Sequence, residues 1–371
     1  MTVFTIVGLV VGIVGLVAGA ELLVRGASRI AARTGMSNVV IGLTVVAFGT
    51  SAPELAVSVG DAVRGSESAG EIAMGNVVGS NIANILLALG VAATFGGALV
   101  VANRIVRIDV PLMIAVSVLL WVLVLDEQLG RLEGILLTVL LVVYITWTVR
   151  AARRGAVTVP PTELDDEFTE EALRRHSVGG DVGVVGVGLA LLVVGSQMLV
   201  AAASDIAAEF GVSDLVIGLT VVAIGTSLPE VATSVVAAMR GQRDLAVGNA
   251  VGSNLFNILA VLGITATVSP SPLPVAPSAI QVDIPVMVAV AFACLPIFAS
   301  GHQLSRWEGS LFVALYAAYL GWLVLDASEH HIRDSYRGVM LFFVLPIVVV
   351  TVTVITYRVL RDERHDLLGT D

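Results

Sequence analysis

Two glutamates lie inside long apolar stretches of this sequence, at repeated positions. Glu54 ends the stretch VIGLTVVAFGTSAPE, and Glu230 ends the stretch VIGLTVVAIGTSLPE, in which thirteen of fifteen positions are identical. A carboxylate among apolar residues costs several kcal/mol unless it meets a partner, a cation or a water-filled cavity. The repetition indicates that both carboxylates serve one ligand site. The structural alternative is a protonated glutamate that is hydrogen-bonded to a neighbouring helix.

A proline precedes each glutamate and weakens the helix before it. Pro53 and Pro229 lack an N–H, and their rings clash with the carbonyls four residues earlier, at Gly49 and Gly225. We therefore expect the helix to open from Gly49 to Pro53 and from Gly225 to Pro229, which frees carbonyl oxygens toward a cavity or an ion. A simple kink is the alternative. Four hydroxyl side chains lie on the same turns: Thr50, Ser51, Thr226 and Ser227.

A second repeated motif adds hydroxyl and amide groups. Residues 75–81, GNVVGSN, return as residues 248–254, GNAVGSN. The Gly-x-x-x-Gly spacing favours close helix packing. Each copy also places a serine and an asparagine four residues apart on one helix face, and we interpret these as ligands. They are Ser80 with Asn84 and Ser253 with Asn257.

The donor set consists of carboxylate, carbonyl, hydroxyl and amide oxygens, which are ligands for hard cations. A set of about six to eight oxygens with two carboxylates suits Ca²⁺ better than Mg²⁺, and the remaining neutral oxygens suit Na⁺. All five histidines lie in predicted loops or in the tail. A transition-metal site inside the apolar segments is therefore not expected.

The composition places these residues in a membrane protein. Of 371 residues, 57% are hydrophobic and 13% are charged, the mean hydropathy is +0.95 and the net charge is −10. A soluble protein would need about 25% charged residues to cover its surface. The chain has no basic stripe, and Cys294 is its single cysteine. These features exclude a cytosolic enzyme, a nucleic-acid-binding protein and a disulfide scaffold.

Eleven stretches approach the roughly 20 apolar residues that a helix needs to cross a bilayer. The first ten form two sets of five, which carry the repeated motifs. Because five is odd, the second set must enter the membrane from the opposite face, so we predict an all-α fold of two inverted halves with ten core helices. The predicted units are a first repeat (1–150), a linker (151–181), a second repeat (182–326), an additional C-terminal span (338–357) and a tail (358–371).

The arginines predict the orientation. With the linker and the tail in the cytoplasm, thirteen of the 20 basic residues lie inside. The positive-inside rule then places the N-terminus outside and the C-terminus in the cytoplasm.

At the paired Gly-Thr-Ser-x-Pro-Glu and Gly-Ser-Asn-x-x-Asn motifs, the chain resembles the sodium/calcium exchanger family in its prokaryotic form, over residues 1 to 325. The resemblance implies a Ca²⁺ position flanked by Na⁺ positions, and alternating access in the cell membrane. It implies that Glu54 and Glu230, with the backbone of Thr50 and Thr226, hold Ca²⁺. The remaining implied donors are Ser51, Ser80, Asn84, Ser227, Ser253, Asn257 and the carbonyls of Ala47 and Ala223.

The expected function is therefore electrogenic exchange of Na⁺ for Ca²⁺, with no enzyme activity, no cofactor and no nucleic-acid partner. Potassium-dependent relatives have Asp where this chain has Asn257, so the resemblance argues against K⁺ transport. A proton/calcium exchanger is the main alternative, because a carboxylate pair can also trade protons for Ca²⁺. A channel and an intramembrane enzyme fit the sequence less well. The sequence is compatible with a monomer.

Three further features have open or structural interpretations. Spans one and six are rich in glycine, which would let them slide over the core or simply pack closely. Asp109 and Asp283 precede prolines, and we expect them to cap helices. The acidic linker is expected to be a solvated connection rather than a calcium sensor.

Overall fold

The structure is a computed structural model that describes residues 3–66, 69–154, 177–212, 214–217, 220–221, 223–328 and residue 353. Most of the predicted linker, the predicted C-terminal span apart from Thr353, and the tail lie outside these residues. The predictions for them, and the proposed unit boundaries, remain predictions.

The described residues are almost entirely helical, as predicted. The first half contains α1 (Val3–Thr34), α2 (Asn38–Thr50), α3 (Ala52–Val63), α4 (Ala69–Gly96), α5 (Ile105–Leu123) and α6 (Arg131–Arg154). The second half contains α7 (Val178–Glu209), α8 (Asp214–Ile217), α9 (Ala223–Thr226), α10 (Leu228–Met239), α11 (Arg243–Val268), α12 (Ala279–Ala299) and α13 (Arg306–Ala327).

Eight of these helices are long and apolar enough to cross a membrane, and α2 with α3 forms a ninth span that bends by 42°. The chain is thus an all-α, multi-pass membrane protein. The remaining predicted core span, the seventh along the chain, corresponds to α8, α9 and α10, and several residues between α8 and α9 are not described. The count of ten core spans therefore stays a prediction.

Local sequence signals fix several helix ends, and one of them recurs in both halves. Ser37 caps the start of α2 and Ser177 caps the start of α7, each through its side-chain oxygen. After α1 and α7 the chain turns at the matched positions Gly35 (φ 67°) and Gly211 (φ 79°). Glycine adopts this left-handed conformation without steric cost, which explains the sharp stop of both helices.

Two short antiparallel ribbons show that the halves are inverted. The strands are β1 (Leu99–Val100), β2 (Gln128–Leu129), β3 (Leu273–Pro274) and β4 (Gln303–Leu304). β1 precedes α5 and pairs with β4, which follows α12, with Leu99 opposite Leu304. β2 follows α5 and pairs with β3, which precedes α12, with Leu129 opposite Leu273. The start of each helix thus lies beside the end of the other, so α5 and α12 run in opposite directions.

α1 and α7 pack against each other, also in opposite directions, along faces of glycine. A Cβ on Gly12 would lie 2.8 Å from the backbone N of Leu199, and one on Gly188 would lie 2.7 Å from that of Leu23. Such distances leave room only for glycine. Gly183, in contrast, has no described atom within 4 Å of its ideal Cβ. The tightly packed glycines therefore face the partner helix rather than the core, which favours the packing interpretation over sliding on the core.

Two of the second-motif glycines pack closely against α2. A Cβ on Gly248 or Gly252 would lie within 3 Å of the α2 backbone, at Val39 and Leu43 respectively, as expected for close packing.

The helices that carry the second motif form the centre of the molecule. Over the most apolar 18 residues of each helix, 78% of α4 and 83% of α11 is buried, whereas only 28% of α1 and of α7 is buried. Both central helices contain a π-helical turn that begins at the motif asparagine, at Asn84–Leu89 and Asn257–Leu262. Further π-helical turns occur in α2 (Gly42–Val46) and at the starts of α5 (Ile105–Asp109) and α12 (Ala279–Asp283). The extra residue of such a turn re-aims the side chains around it, and π turns concentrate at functional sites.

Candidate ion-binding site

The two carboxylates sit just after breaks in their helices. α2 ends at Thr50, and α3 begins at Ala52 after Ser51, whose backbone leaves the helical region at φ −84° and ψ 1°. Ser227 forms the same break between α9 and α10, at φ −88° and ψ 0°. Each proline then occupies the first turn of the following helix, where its missing N–H is harmless. The break thus spans one residue and is narrower than the predicted opening, because the Ser51 N–H still donates to the Ala47 carbonyl at 3.0 Å.

Glu54 and Glu230 lie in the first turns of α3 and α10, and both side chains are completely buried. The helix dipole there favours negative charge. The Glu54 carboxylate neighbours the Ser80 hydroxyl, and that of Glu230 neighbours both the Thr50 hydroxyl and Glu54. Within the described part of the chain, neither carboxylate has a hydrogen bond of ordinary geometry. The two acids are therefore neighbours, and among the described residues neither has a hydrogen-bond partner that would offset its burial.

Helices of opposite halves contribute to the same site. The Thr50 Oγ1 lies 3.4 Å from the Ser253 Oγ and 3.3 Å from the Asn249 Oδ1. Thr50 belongs to α2, whereas Ser253 and Asn249 belong to α11. The site is therefore built between the inverted halves.

Most of the predicted donors have free oxygens. In the described residues, the following buried atoms have no hydrogen-bond partner: the hydroxyls of Ser51, Ser80 and Ser227, the Oδ1 of Asn84 and of Asn257, and all four carboxylate oxygens of Glu54 and Glu230. An unsatisfied buried polar atom costs about 1–3 kcal/mol, and more when it is charged. All of these residues belong to the two repeated motifs, so the oxygens without described partners coincide with the donors that the sequence predicted.

The remaining predicted donors lie on the same turns. Ala47 begins the last α-helical turn of α2, and its carbonyl accepts from the Ser51 N–H and from the Thr50 hydroxyl at 3.4 Å. Ala223 and Thr226 begin and end α9 at the matching positions. The Thr50 hydroxyl has a single proton, and when it donates to the Asn249 Oδ1 instead, one of the two lone pairs of the Ala47 oxygen is left for an ion.

Two asparagines that the sequence analysis did not select brace the carboxylate helices. The Asn76 Nδ2 donates to the Glu54 backbone carbonyl at 3.3 Å and to the Ser58 hydroxyl at 3.2 Å. The Asn249 Nδ2 donates to the Ser234 hydroxyl at 3.3 Å. Both asparagines belong to the second motif, directly after its first glycine, so their repetition was the signal that could have identified them.

The carbonyls four residues before the two prolines, at Gly49 and Gly225, have different side chains nearby in the two halves. The Ser196 hydroxyl of α7 donates to the Gly225 carbonyl at 2.7 Å. The position that matches Ser196 in α1 is Ala20, which has no donor. A helix outside the site thus satisfies one of the two carbonyls through its side chain.

The predicted capping role of Asp109 and Asp283 is wrong. Neither side chain bonds the helix that follows it. The Asp109 carboxylate accepts from Tyr144 and from Arg104, each at 3.3 Å, and that of Asp283 accepts from Tyr319 at 3.1 Å. These carboxylates join α5 to α6 and α12 to α13, because a neighbouring tyrosine offers a partner that sequence position does not reveal.

No group of three or more His, Cys, Asp or Glu side chains that could hold a metal ion occurs in the described residues. The candidate site depends on two carboxylates and on neutral oxygens. This donor chemistry fits Ca²⁺ and Na⁺ and does not favour transition metals.

Comparison with known proteins agrees with this donor chemistry. The sequence model of the family "Sodium/calcium exchanger protein" matches residues 4–150 and 181–325. The chain is 38% identical to the protein CaxA of Alkalimonas amylolytica over 86% of its length and 97% of that protein. It is 34% identical to the sodium/calcium exchanger MaX1 of Methanosarcina acetivorans, over 78% of its length and 90% of that protein.

A solved structure shares the fold. The sodium-calcium exchanger NCX_Mj, soaked with Na⁺ and Ca²⁺, superimposes with a TM-score of 0.71 at 30% identity. The match covers 86% of this chain and 99% of that one. The chain therefore belongs to the sodium/calcium exchanger family, as a multi-pass membrane antiporter of Ca²⁺ and other cations rather than an enzyme.

Proposed function

We propose that the chain exchanges Na⁺ for Ca²⁺ across the prokaryotic cell membrane by alternating access, through the site that contains Glu54 and Glu230. The observation that carries this proposal is the group of buried motif oxygens that have no hydrogen-bond partner among the described residues, which includes the two carboxylates and the hydroxyls of Ser51, Ser80 and Ser227. Two carboxylates balance one Ca²⁺. The neutral oxygens would be unnecessary for protons but are the ligands that Na⁺ requires.

The proposed ligands are those of the sequence prediction. Ca²⁺ lies between the carboxylates with the backbone oxygens of Thr50 and Thr226, and Na⁺ ions use the remaining set. This set comprises Ser51, Ser80, Asn84, Ser227, Ser253, Asn257 and the carbonyls of Ala47 and Ala223. MaX1 and NCX_Mj, both named sodium/calcium exchangers, support Na⁺ as the counter-ion.

Asn257 supports exchange without K⁺. Its amide is neutral, so the site has two acidic ligands rather than three. Bound Ca²⁺ leaves such a site close to neutral. No further cation, such as K⁺, is then needed to balance its charge. Exchange in which the Na⁺ ions carry more charge than one Ca²⁺ is electrogenic, and we propose this for the chain.

The first test is uptake of radiolabelled Ca²⁺ into vesicles that hold the purified protein, are loaded with Na⁺ and are diluted into medium free of Na⁺ and K⁺. We expect uptake to require internal Na⁺ and to be unchanged by external K⁺. An inside-positive membrane potential should accelerate it, because the Na⁺ ions that leave carry more charge than the Ca²⁺ that enters. The same assay on Glu54→Gln should show no such uptake. A matched control is Glu71→Gln, which makes the same substitution at an exposed position near the start of α4.

Proton coupling is the second candidate. Two neighbouring carboxylates without described hydrogen bonds could also bind protons when Ca²⁺ leaves. Uptake that is driven by a pH gradient in Na⁺-free vesicles, and that is indifferent to internal Na⁺, would replace the proposed coupling with this one.

For the orientation, we propose an external N-terminus with the linker and the tail in the cytoplasm. Protease treatment of sealed, right-side-out vesicles is expected to spare the linker (151–181). Cleavage there from outside would reverse the assignment.

A further inference from the structure

We propose that Asn81, which is outside the proposed ligand set, is a positioning residue that holds the Asn257 amide with its oxygen toward the ion site. This inference rests on the proposed function of that site. Both side chains are buried, on the central helices α4 and α11 of opposite halves. The argument depends on which atom of each amide must face its neighbour.

The orientation of Asn81 is fixed by a backbone carbonyl. The carbonyl of Asn254 can only accept a hydrogen bond, and it lies 3.3 Å from the Nδ2 of Asn81. The same nitrogen lies 3.5 Å from the Met287 sulfur, which is also an acceptor. The nitrogen of the Asn81 amide therefore faces these groups, and its oxygen must point the other way.

The orientation of Asn257 follows from that of Asn81. The Asn81 Oδ1 lies 3.1 Å from the Asn257 Nδ2, and an oxygen that accepts requires a nitrogen opposite it. The Asn257 Oδ1 is thereby turned away from Asn81, and it is buried without a partner in the described residues. Asn257 lies four residues after Ser253, whose hydroxyl approaches Thr50, so its side chain shares the face of α11 that carries the proposed ligands.

This arrangement matters for cation binding because the two ends of an amide are not equivalent. The oxygen carries partial negative charge and can be a ligand for Ca²⁺ or Na⁺, whereas the NH₂ group repels a cation. A buried amide without a fixed neighbour can rotate and present either end. Asn81 removes this freedom and so keeps a neutral oxygen, without an added charge, at the site.

The inverted repeat provides a matched control in Asn254. Its Nδ2 donates to the Asn81 backbone carbonyl at 3.2 Å and approaches the Met113 sulfur at 3.5 Å, which mirrors the contacts of Asn81. Its Oδ1, however, has no hydrogen-bond partner among the described residues, and neither amide atom of Asn84 has one. Asn254 thus shares the contacts that join α4 to α11 but does not hold the matching ligand amide.

The experiment compares equilibrium binding of radiolabelled Ca²⁺, and its competition by Na⁺, in four purified full-length variants. We expect Asn81→Ala to weaken Ca²⁺ binding about five- to tenfold, and Asn254→Ala less than about twofold, because one buried hydrogen bond contributes about 1 kcal/mol. Aspartate has an oxygen at both ends of its side chain and needs no orientation. In the Asn257→Asp background, Asn81→Ala should therefore cause no further loss.

Equal losses in Asn81→Ala and Asn254→Ala, or the same loss from Asn81→Ala in both backgrounds, would overturn the positioning role. If Asn81→Ala does not fold, Asn81→Ser replaces it, since a serine hydroxyl bonds back to its own helix and is too short to hold Asn257. The unsubstituted protein separates the two proposals. If it binds Ca²⁺ but transports it without Na⁺, the proposed coupling fails and the variant comparison still applies. If it binds no Ca²⁺, both proposals fail.

Discussion

The two halves of the molecule carry nearly the same motifs but treat their polar groups differently. In the second half, the Asn257 amide is bonded to Asn81, and the Gly225 carbonyl accepts from Ser196. In the first half, the described residues provide no hydrogen bond for the Asn84 amide, and Ala20 stands where the second half has Ser196. The carboxylates and the helix breaks are alike. The inverted repeat therefore sets the position of the donors, while single substitutions set how firmly each half holds them.

The largest expected effect comes from the feature that the halves share. Glu54→Gln and Glu230→Gln should each reduce Na⁺-dependent Ca²⁺ uptake on the order of 100-fold or more, because each leaves one buried carboxylate to balance a divalent ion. Uptake rates at fixed Ca²⁺ would measure this, with Glu71→Gln as the unaffected control. A mild effect from one of the two variants would break the equivalence of the carboxylates.

The glycine contacts between α1 and α7 are also shared. Gly12→Ala and Gly188→Ala place a Cβ against the backbone of the partner helix in mirrored positions, and each should cost about 1–3 kcal/mol. Thermal unfolding of the protein in detergent would show similar decreases in the midpoint for both. Gly183→Ala has open space around its Cβ and should change the midpoint little. A large difference between the first two would mean that the pair is not symmetric.

A third carboxylate should distinguish the halves. Asn84→Asp adds charge where no described hydrogen bond is lost, so we expect the half-saturating Ca²⁺ concentration to fall on the order of tenfold. Asn257→Asp adds the same charge, but one of its oxygens then faces the Asn81 Oδ1, which offsets part of the gain. Ca²⁺ titrations of uptake should therefore show the larger gain for Asn84→Asp. The opposite order would contradict the asymmetry.

The smallest expected effect concerns the carbonyl beside the second helix break. Ser196→Ala removes the hydroxyl that bonds the Gly225 carbonyl and should cost about 1 kcal/mol, which lowers the unfolding midpoint by a few degrees. Ala20→Ser supplies the same hydroxyl to the first half. It tests whether this one side chain accounts for the missing hydroxyl donor there. If the unfolding midpoint changes in neither variant, the Ser196 hydrogen bond does not distinguish the two halves energetically.

Much of the fold and of the candidate site could be predicted, because the repeat is visible in the sequence. A duplicated unit with an odd number of spans requires inversion, and the ribbons and the paired glycine helices agree with it. Glu54 and Glu230 were identifiable because a carboxylate in an apolar segment needs a specific reason. These inferences depend on local composition and on the order of elements along the chain.

Other features depend on neighbours that are distant in the sequence. The hydrogen bonds that Asn81, Ser196 and Asp109 make with other helices reach residues at least 29 positions away in the sequence. The π-helical turns that begin at Asn84 and Asn257 have no simple residue signature. The width of the helix break was overestimated because a proline at the start of a helix costs less than one in its interior.

The two ribbons constrain how the protein can move. Each joins a connection of one half to a connection of the other, and each is extended by a further bond, from the Val101 N–H to the His302 carbonyl at 2.8 Å and from the Val275 N–H to the Glu127 carbonyl at 2.9 Å. They lie at opposite ends of α5 and α12. A motion that separated α5 from α12 at either end would have to break the main-chain hydrogen bonds of a ribbon. The two ribbons thus act as paired cross-links between the halves, one at each end of these helices.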